Sequence, residues 1–341
     1  MLPPDCFPYF SRLVPNESQN PEGTTWVTDL ELMHHYSTVA CFTLPRGSQV
    51  GHIWQTEFVR LALNDEPLMH QILAIAAFHL AYCHPNNSRQ FHMLASHHQS
   101  EAAQGLRKKL MQHVTPENAH ACFAASSLMI IGAFAAFCLE NDSGDLPRPS
   151  LQDLLDIFGL NRGMDVVLRT WEQYIHHGPF ADLFKNLNNT KPMFYLEAVC
   201  KKLSDLGSKL RGDEVDDLTP LVDREISNFT QVMEESIRDA PVPELRSVMA
   251  WPIAMKPDFF VALGEKKPLA LTILAYYCSI LHEAQSSAWY LQGWGMAVMN
   301  DIVSTLPADK LEHILWPKST MGQSEQNAFG SGIQPGGPLS L

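Results

Sequence analysis

Two basic side chains stand beside breaks in the chain, Lys267 ahead of Pro268 and Arg162 ahead of Gly163. At such a break a cation can face a cavity and hold an anion. The competing reading is a long side chain that snorkels to water or pairs with a surface acid. Asn300, Asp301 and Ser304 bring hard oxygen atoms within one helical turn of each other, and as a lone set they also read as a solvated helix end. Tyr277, Trp289, Tyr290 and Trp294 supply rings that can line a pocket or fill a core. Gly293 and Gly295, on either side of Trp294, point to close backbone packing or the approach of a ligand.

Other polar groups promise less. Glu140, Asp142 and Asp145 follow the most apolar stretch of the chain but lack a DDxxD order, and a polar loop commonly carries such acids for solubility. His34-His35, His97-His98 and His176-His177 cannot turn both members toward one metal, because neighbours on a helix point about 100° apart. Asp65-Glu66 ahead of Pro67 is a helix-start charge pair, and Arg107, Lys108 and Lys109 end a helix with the charge its dipole favours. No GxSxG, HExxH, phosphate-loop or dinucleotide motif occurs.

Composition narrows the classes further. A formal charge of −13 over 341 residues argues against nucleic acid as a direct partner, since that affinity comes mainly from Lys and Arg displacing counterions. The seven cysteines (Cys6, Cys41, Cys83, Cys122, Cys138, Cys200, Cys278) lie far apart without a CxxC pair, so they read as reduced, mostly buried thiols rather than a zinc module or a disulfide framework. The start, MLPPDCFPYFSR, lacks the basic residues and apolar run of a secretory signal, which predicts an intracellular, cytoplasmic chain. Cys122 to Leu139 is uncharged and near membrane-spanning length. Ser126, Ser127, many alanines and the lack of a flanking basic or aromatic belt favour a helix buried in protein, with no membrane span.

The elements that would position these groups are all helical. Residues 1–27 read as an extended arm, 28–320 as one large helical domain around an apolar pocket, and 321–341 as a disordered Gly/Ser/Pro/Gln-rich tail. The first helix is predicted to start at Asp29, a second to cover Trp54 to Ala62, and a third to run from Pro67 to a stop at His84-Pro85. Further helices are predicted over 88–113, from Pro116 to Leu139, from Asp153 with an interruption at Gly163, and over 193–209, 217–238 and 242–250. A break at Trp251-Pro252 precedes two long segments, 268–284 and 286–305. No alternating strand pattern appears, so the class is all-α.

Several segments together resemble the C-terminal effector domain of fungal zinc-cluster regulators of the sterol-uptake type. They are Asp29-Leu-Glu-Leu-Met-His-His-Tyr36, Trp54-Gln-Thr-Glu57, Leu73-Ala-Ile-Ala-Ala-Phe-His-Leu-Ala81, Leu154-Leu-Asp-Ile-Phe158 with Arg162-Gly163, Lys267-Pro268-Leu-Ala270, Leu274-Ala-Tyr-Tyr277 and Gly293-Trp294-Gly295. Those regulators carry six clustered cysteines and a basic stretch ahead of the domain, and neither occurs here. The chain also resembles the humulene synthases of fungal tropolone sesquiterpenoid clusters. That resemblance implies a lysine on the diphosphate, at Lys267, and a product-shaping residue one helical turn earlier, at Leu263. Asn300, Asp301 and Ser304 resemble the first half of the Asn/Ser/Glu magnesium motif of class I terpene cyclases. Ala308 stands where that motif's acid belongs, and Asp309 follows one place late, beyond Pro307.

The function expected from this set is a magnesium-dependent sesquiterpene cyclase of secondary metabolism, a lyase acting on farnesyl diphosphate. Lys267 would be catalytic, Leu263, Arg162, Trp294, Tyr277 and Trp289 would bind substrate, and Asn300, Asp301 and Ser304 would hold Mg2+. The alternative is a ligand-sensing transcriptional regulator that binds a sterol-like molecule, lacks its own DNA-binding module and works in the nucleus. Either function is compatible with a homodimer.

Overall fold

A computed structural model describes residues 26–112, 114–137, 148–185, 194–210, 218–239 and 245–330. Every regular element among the described residues is helical, and the chain is all-α. It divides into two compact units, Met1–Pro147 with Asp156–Lys185, and Arg148–Leu155 with Asn186–Leu341.

The first unit is organised around one buried helix. Its leading elements are α1 (Trp26–Thr38), a 3-10 turn (Ala40–Thr43), α2 (Gly47–His52), a π turn (Ile53–Glu57) and α3 (Phe58–Ala62). Then come α4 (Glu66–Cys83), α5 (Ser88–Gln112) and α6 (Ala119–Ala135). Asp65 starts α4: its backbone is extended and its side chain accepts from the Leu68 amide at 3.2 Å. Pro67 follows in the first turn, where the missing N–H would have had no helical partner. Leu68 and every residue from Gln71 to His79 are buried, so α4 is apolar nearly all round and must be surrounded. It is surrounded by α1, α5 and α6. Full burial of a side chain such as Phe78 stabilises by about 1.5–3 kcal/mol.

Some boundaries differ from expectation for local reasons. The first helix begins at Trp26 rather than Asp29, and Trp54 falls in the π turn instead of opening a helix. α6 is shorter than the apolar run, and no described helix is long and apolar enough to cross a membrane. The acidic group Glu140, Asp142 and Asp145 lies outside the described residues. α7 (Leu151–Leu168) is opened by a reciprocal cap in which Ser150 donates to Asp153 Oδ2 from its amide at 2.9 Å and its hydroxyl at 2.6 Å. It runs straight through Gly163, whose cost of about 1 kcal/mol is outweighed by burial of Leu160 and Met164 beside it. After it come a 3-10 turn, α8 (Glu172–His176) and α9 (Ala181–Phe184).

The second unit holds α10 (Phe194–Leu210), α11 (Thr219–Asp239), α12 (Leu245–Ala254), α13 (Pro257–Gly264), α14 (Pro268–Ala284), α15 (Trp294–Thr305) and α16 (Leu315–Gly330). Its core helix is α14, buried from Leu269 through His282. Pro252 sits inside α12 instead of ending it. The segment predicted as one helix over 286–305 is split: Ala288 is extended, Trp289–Leu291 form a 3-10 turn, and Gly293 takes φ 78° ahead of α15. Gly295 then lets α15 approach α14, since a Cβ there would stand 2.7 Å from the Cys278 carbonyl oxygen. Close backbone packing therefore explains this glycine. α16 continues through buried Met321 into the stretch whose composition suggested a tail.

Candidate functional site

The residues expected to bind and turn over a diphosphate do not form one constellation. Leu263 and Lys267 were placed in register by helical spacing, yet α13 ends between them at Gly264, and Lys266 adopts a left-handed φ of 55°. Leu263 is fully buried. Lys267, about half exposed, sets its Nζ 3.4 Å from Glu265 Oε2. Tyr277 and Trp294 are wholly buried, and the Tyr277 ring packs 5.3 Å from Trp251. Trp289 is buried edge-on against Tyr290 at 5.6 Å. Arg162 is half-buried on α7. Two clefts of about 390 and 330 Å3 open in the second unit, one beside the Arg224–Asp258 ion pair and one between α10 and α11. None of these expected residues lines either cleft.

Asp301 has a structural task. Its Oδ2 accepts from the Leu151 amide at 2.8 Å, which caps the first turn of α7. Ser304 turns its hydroxyl back to the Asp301 carbonyl at 2.8 Å, and Asn300 is exposed. Among the described residues no group of three or more His, Cys, Asp or Glu is placed to hold a metal ion. The described cysteines are free. Cys41, Cys122, Cys200 and Cys278 are buried and Cys83 half-buried, with burial raising Cys122 to about 11 and Cys200 to about 12. These are protonated, unreactive thiols.

What the first unit does assemble is a set of imidazoles. His35 Nε2 on α1 meets His79 Nδ1 on α4 at 2.8 Å, with the Cys83 sulfur 3.7 Å from the same nitrogen. His70 Nδ1 on α4 meets His98 Nδ1 on α5 at 2.9 Å, and the other nitrogen of His98 lies 3.4 Å from Asp29 Oδ1 on α1. In each pair one ring must donate and the other accept, which two neutral rings can do and two cationic rings cannot. At an effective dielectric near 20, two charges about 4 Å apart repel by roughly 4 kcal/mol. Burial, with neighbouring histidines adding to it, lowers His79 and His98 to about 3 and His35 to about 4. Burial lowers His70 as well, against the pull of nearby Glu101 and Glu66.

The doubled histidines therefore divide as the helix geometry demands. His35 and His98 turn inward to partners, while His34 is exposed and His97 half-exposed. The inward partners, His70 and His79, gave no motif. Their one signal was position on the apolar face of α4, where a polar ring needs a neighbour.

Residues 31–158 match the family model described as the fungal specific transcription factor domain. Over 304 residues the chain is 25% identical to a Zn(2)-C6 fungal-type transcription factor of Gibberella zeae, covering 85% of this chain and 61% of that protein. It is 25% identical over 256 residues to the Zn(2)-C6 fungal-type transcription factor afumD of Aspergillus fumigatus, covering 71% and 64%. A shorter likeness, 29% over 108 residues, reaches Sterol uptake control protein 2 of Candida albicans, covering 31% of this chain and 14% of that protein. The chain spans about three-fifths of the length of the first two relatives.

These likenesses support the resemblance to the effector domain of zinc-cluster regulators. They overturn the expectation of a sesquiterpene cyclase, because the matched domain and the relatives' names concern transcription and sterol-uptake control rather than diphosphate chemistry. Lys267 and the Asn300, Asp301 and Ser304 set thereby lose the reaction they were expected to serve.

Proposed function

We propose that this chain is a regulatory domain for transcription, working in the nucleus with a DNA-reading module that is not among these 341 residues. The observation that carries this reading is the extent of the likeness to the Gibberella zeae factor, which runs over 85% of the chain. The family match covers α1 from Glu31 onward and the whole of α4, α5 and α6, the helices that build the first unit. The charge of −13 fits a domain that leaves phosphate contacts to other residues. We further propose a sterol-like molecule as its input, prompted by the relative named for control of sterol uptake.

The test is to fuse the chain to an unrelated DNA-binding domain and measure a reporter in fungal cells, with and without sterol depletion. The expected result is reporter output that differs from the DNA-binding domain alone and changes with sterol supply. Output equal to that control at matched nuclear abundance would sink the regulatory reading. A sterol-independent change would remove only the proposed input.

A further inference from the structure

We propose that the cleft between α10 and α11 is a binding site for a linear aliphatic polyamine, held by an acid at each end and by hydroxyl and amide oxygens between them. The cleft measures about 330 Å3, and among the described residues no Lys, Arg or His lines it.

A row on α11 sets the spacing. Asp223, Ser227, Thr230 and Glu234 all line the cleft and follow one another by four, three and four residues. Together these steps are close to three full turns at about 3.6 residues per turn, so the four side chains leave α11 along one line. That line sets the two acids about 16 Å apart along the helix axis. A single metal ion or a short diamine meets one acid only, whereas an extended tetra-amine such as spermine reaches both.

Between the acids the cleft offers acceptors. Ser227 donates its hydroxyl proton to the Asp223 carbonyl at 3.0 Å, and Gln231 turns its amide nitrogen to Glu235 Oε1 at 3.2 Å. The hydroxyl oxygen of Ser227 and the amide oxygen of Gln231 are thereby left to accept. The Thr230 hydroxyl oxygen is buried and has no hydrogen-bond partner. A buried polar atom in that state costs free energy until a donor arrives. An ammonium group brings N–H donors and charge together, since aliphatic amines are protonated at neutral pH.

Across the cleft α10 presents only small residues, Ser204, Gly207 and Ser208. A Cβ on Gly207 would stand 3.0 Å from Ile226 Cδ1, so the two helices approach closely there and buried Ile226 supplies an apolar floor for the methylenes between ammonium groups. Glu234 has no ion pair among the described residues. Its charge reaches α10, where after burial it helps to raise the Cys200 thiol. The site and the transcriptional reading stand separately, and neither needs the other.

Isothermal titration of the whole chain with spermine tests the site. Saturable binding of one spermine per chain is expected, with putrescine bound about tenfold more weakly because it loses one of the two ends. Glu234→Gln should weaken spermine about fivefold, the upper end for an exposed ion pair, and Thr230→Val should weaken it as well. Glu31→Gln, at an exposed acid of α1, removes the same charge and should change nothing. Lack of saturable binding, equal affinity for spermine and putrescine, or equal loss in Glu234→Gln and Glu31→Gln would overturn the site and leave only general attraction to an acidic surface. Backbone amide shifts of the native chain give a second reading that needs no variant. Spermine should move those of α10 and α11, and equal movement of α1 and α14 would refute the proposal.

Discussion

The indole Nε1 of Trp251 donates to Glu225 Oε1 at 2.7 Å, tying α12 to α11 inside the core of the second unit. Asn228 Nδ2 donates to the same carboxylate oxygen at 2.9 Å and the Lys256 amide to the other at 3.4 Å. The rings of Phe229 and Tyr277 pack on the indole at 5.0 and 5.3 Å. A fully buried carboxylate is costly unless its oxygens are occupied, and here they are.

Burial nonetheless pushes the Glu225 carboxyl above its ordinary value. The folded state then holds this proton more firmly than the unfolded chain, so the group favours folding in acid and that contribution is lost as pH rises through the folded value. Glu225→Gln keeps an acceptor for the indole without a charge to bury. It should be at least as stable as the parent at pH 7.5 and flatten this part of the pH dependence. Glu225→Ala strands the indole N–H and should cost about 1–3 kcal/mol. Denaturant midpoints at pH 5.5 and 7.5 check both, and a Gln variant weaker than the Ala variant would refute the account.

Gly295→Ala should be among the most damaging single-methyl additions in the chain. The added Cβ would meet backbone, the Cys278 carbonyl at 2.7 Å and the His282 amide at 2.8 Å, which cannot rotate aside. Overpacking of this kind costs about 1–3 kcal/mol. A thermal melt within a degree of the parent would show that α15 can shift off α14 freely.

The all-α class and most helix spans were legible because apolar periodicity and caps are local: Asp65 and Pro67 announce α4, and Lys267-Pro268 announces α14. The site residues were not, for two physical reasons. Leu263 and Lys267 share a helical spacing that means nothing once Gly264 ends the helix and Lys266 turns left-handed. Asp301 caps a helix that starts 150 residues earlier, a pairing no local pattern encodes. The imidazole pairs fall between these cases: helix geometry forbade a shared metal at each doublet, but which member turned inward depended on α4 being central.

Asp65 does two jobs at the start of α4, accepting from the Leu68 amide and pairing with Lys109. The sequence suggested that Lys109 served only the end of its own helix. Asp65→Asn should retain the cap and lose the ion pair, whereas Asp65→Ala loses both. The Ala variant should be destabilised by about 2 kcal/mol or more and the Asn variant by less. Reversal of that order in urea melts would show that the cap contributes nothing.

Asp301 and Lys267 give the sharpest contrast between a structural and a chemical reading. Lys267 is about half exposed with a 3.4 Å contact to Glu265, and a surface pair of this kind contributes little. Lys267→Ala should leave stability within about 0.5 kcal/mol of the parent and leave reporter output in the fusion assay unchanged. Asp301→Ala uncaps α7 by exposing the Leu151 amide, at a cost of about 0.5–2 kcal/mol. Asp301→Asn keeps an oxygen acceptor and should recover most of that loss. Because the role assigned to Asp301 is a hydrogen bond to backbone, added magnesium should not change the melting temperature of parent or variant differently. A magnesium-dependent rise in the parent that Asp301→Ala abolishes would restore the metal site and displace the capping role argued here.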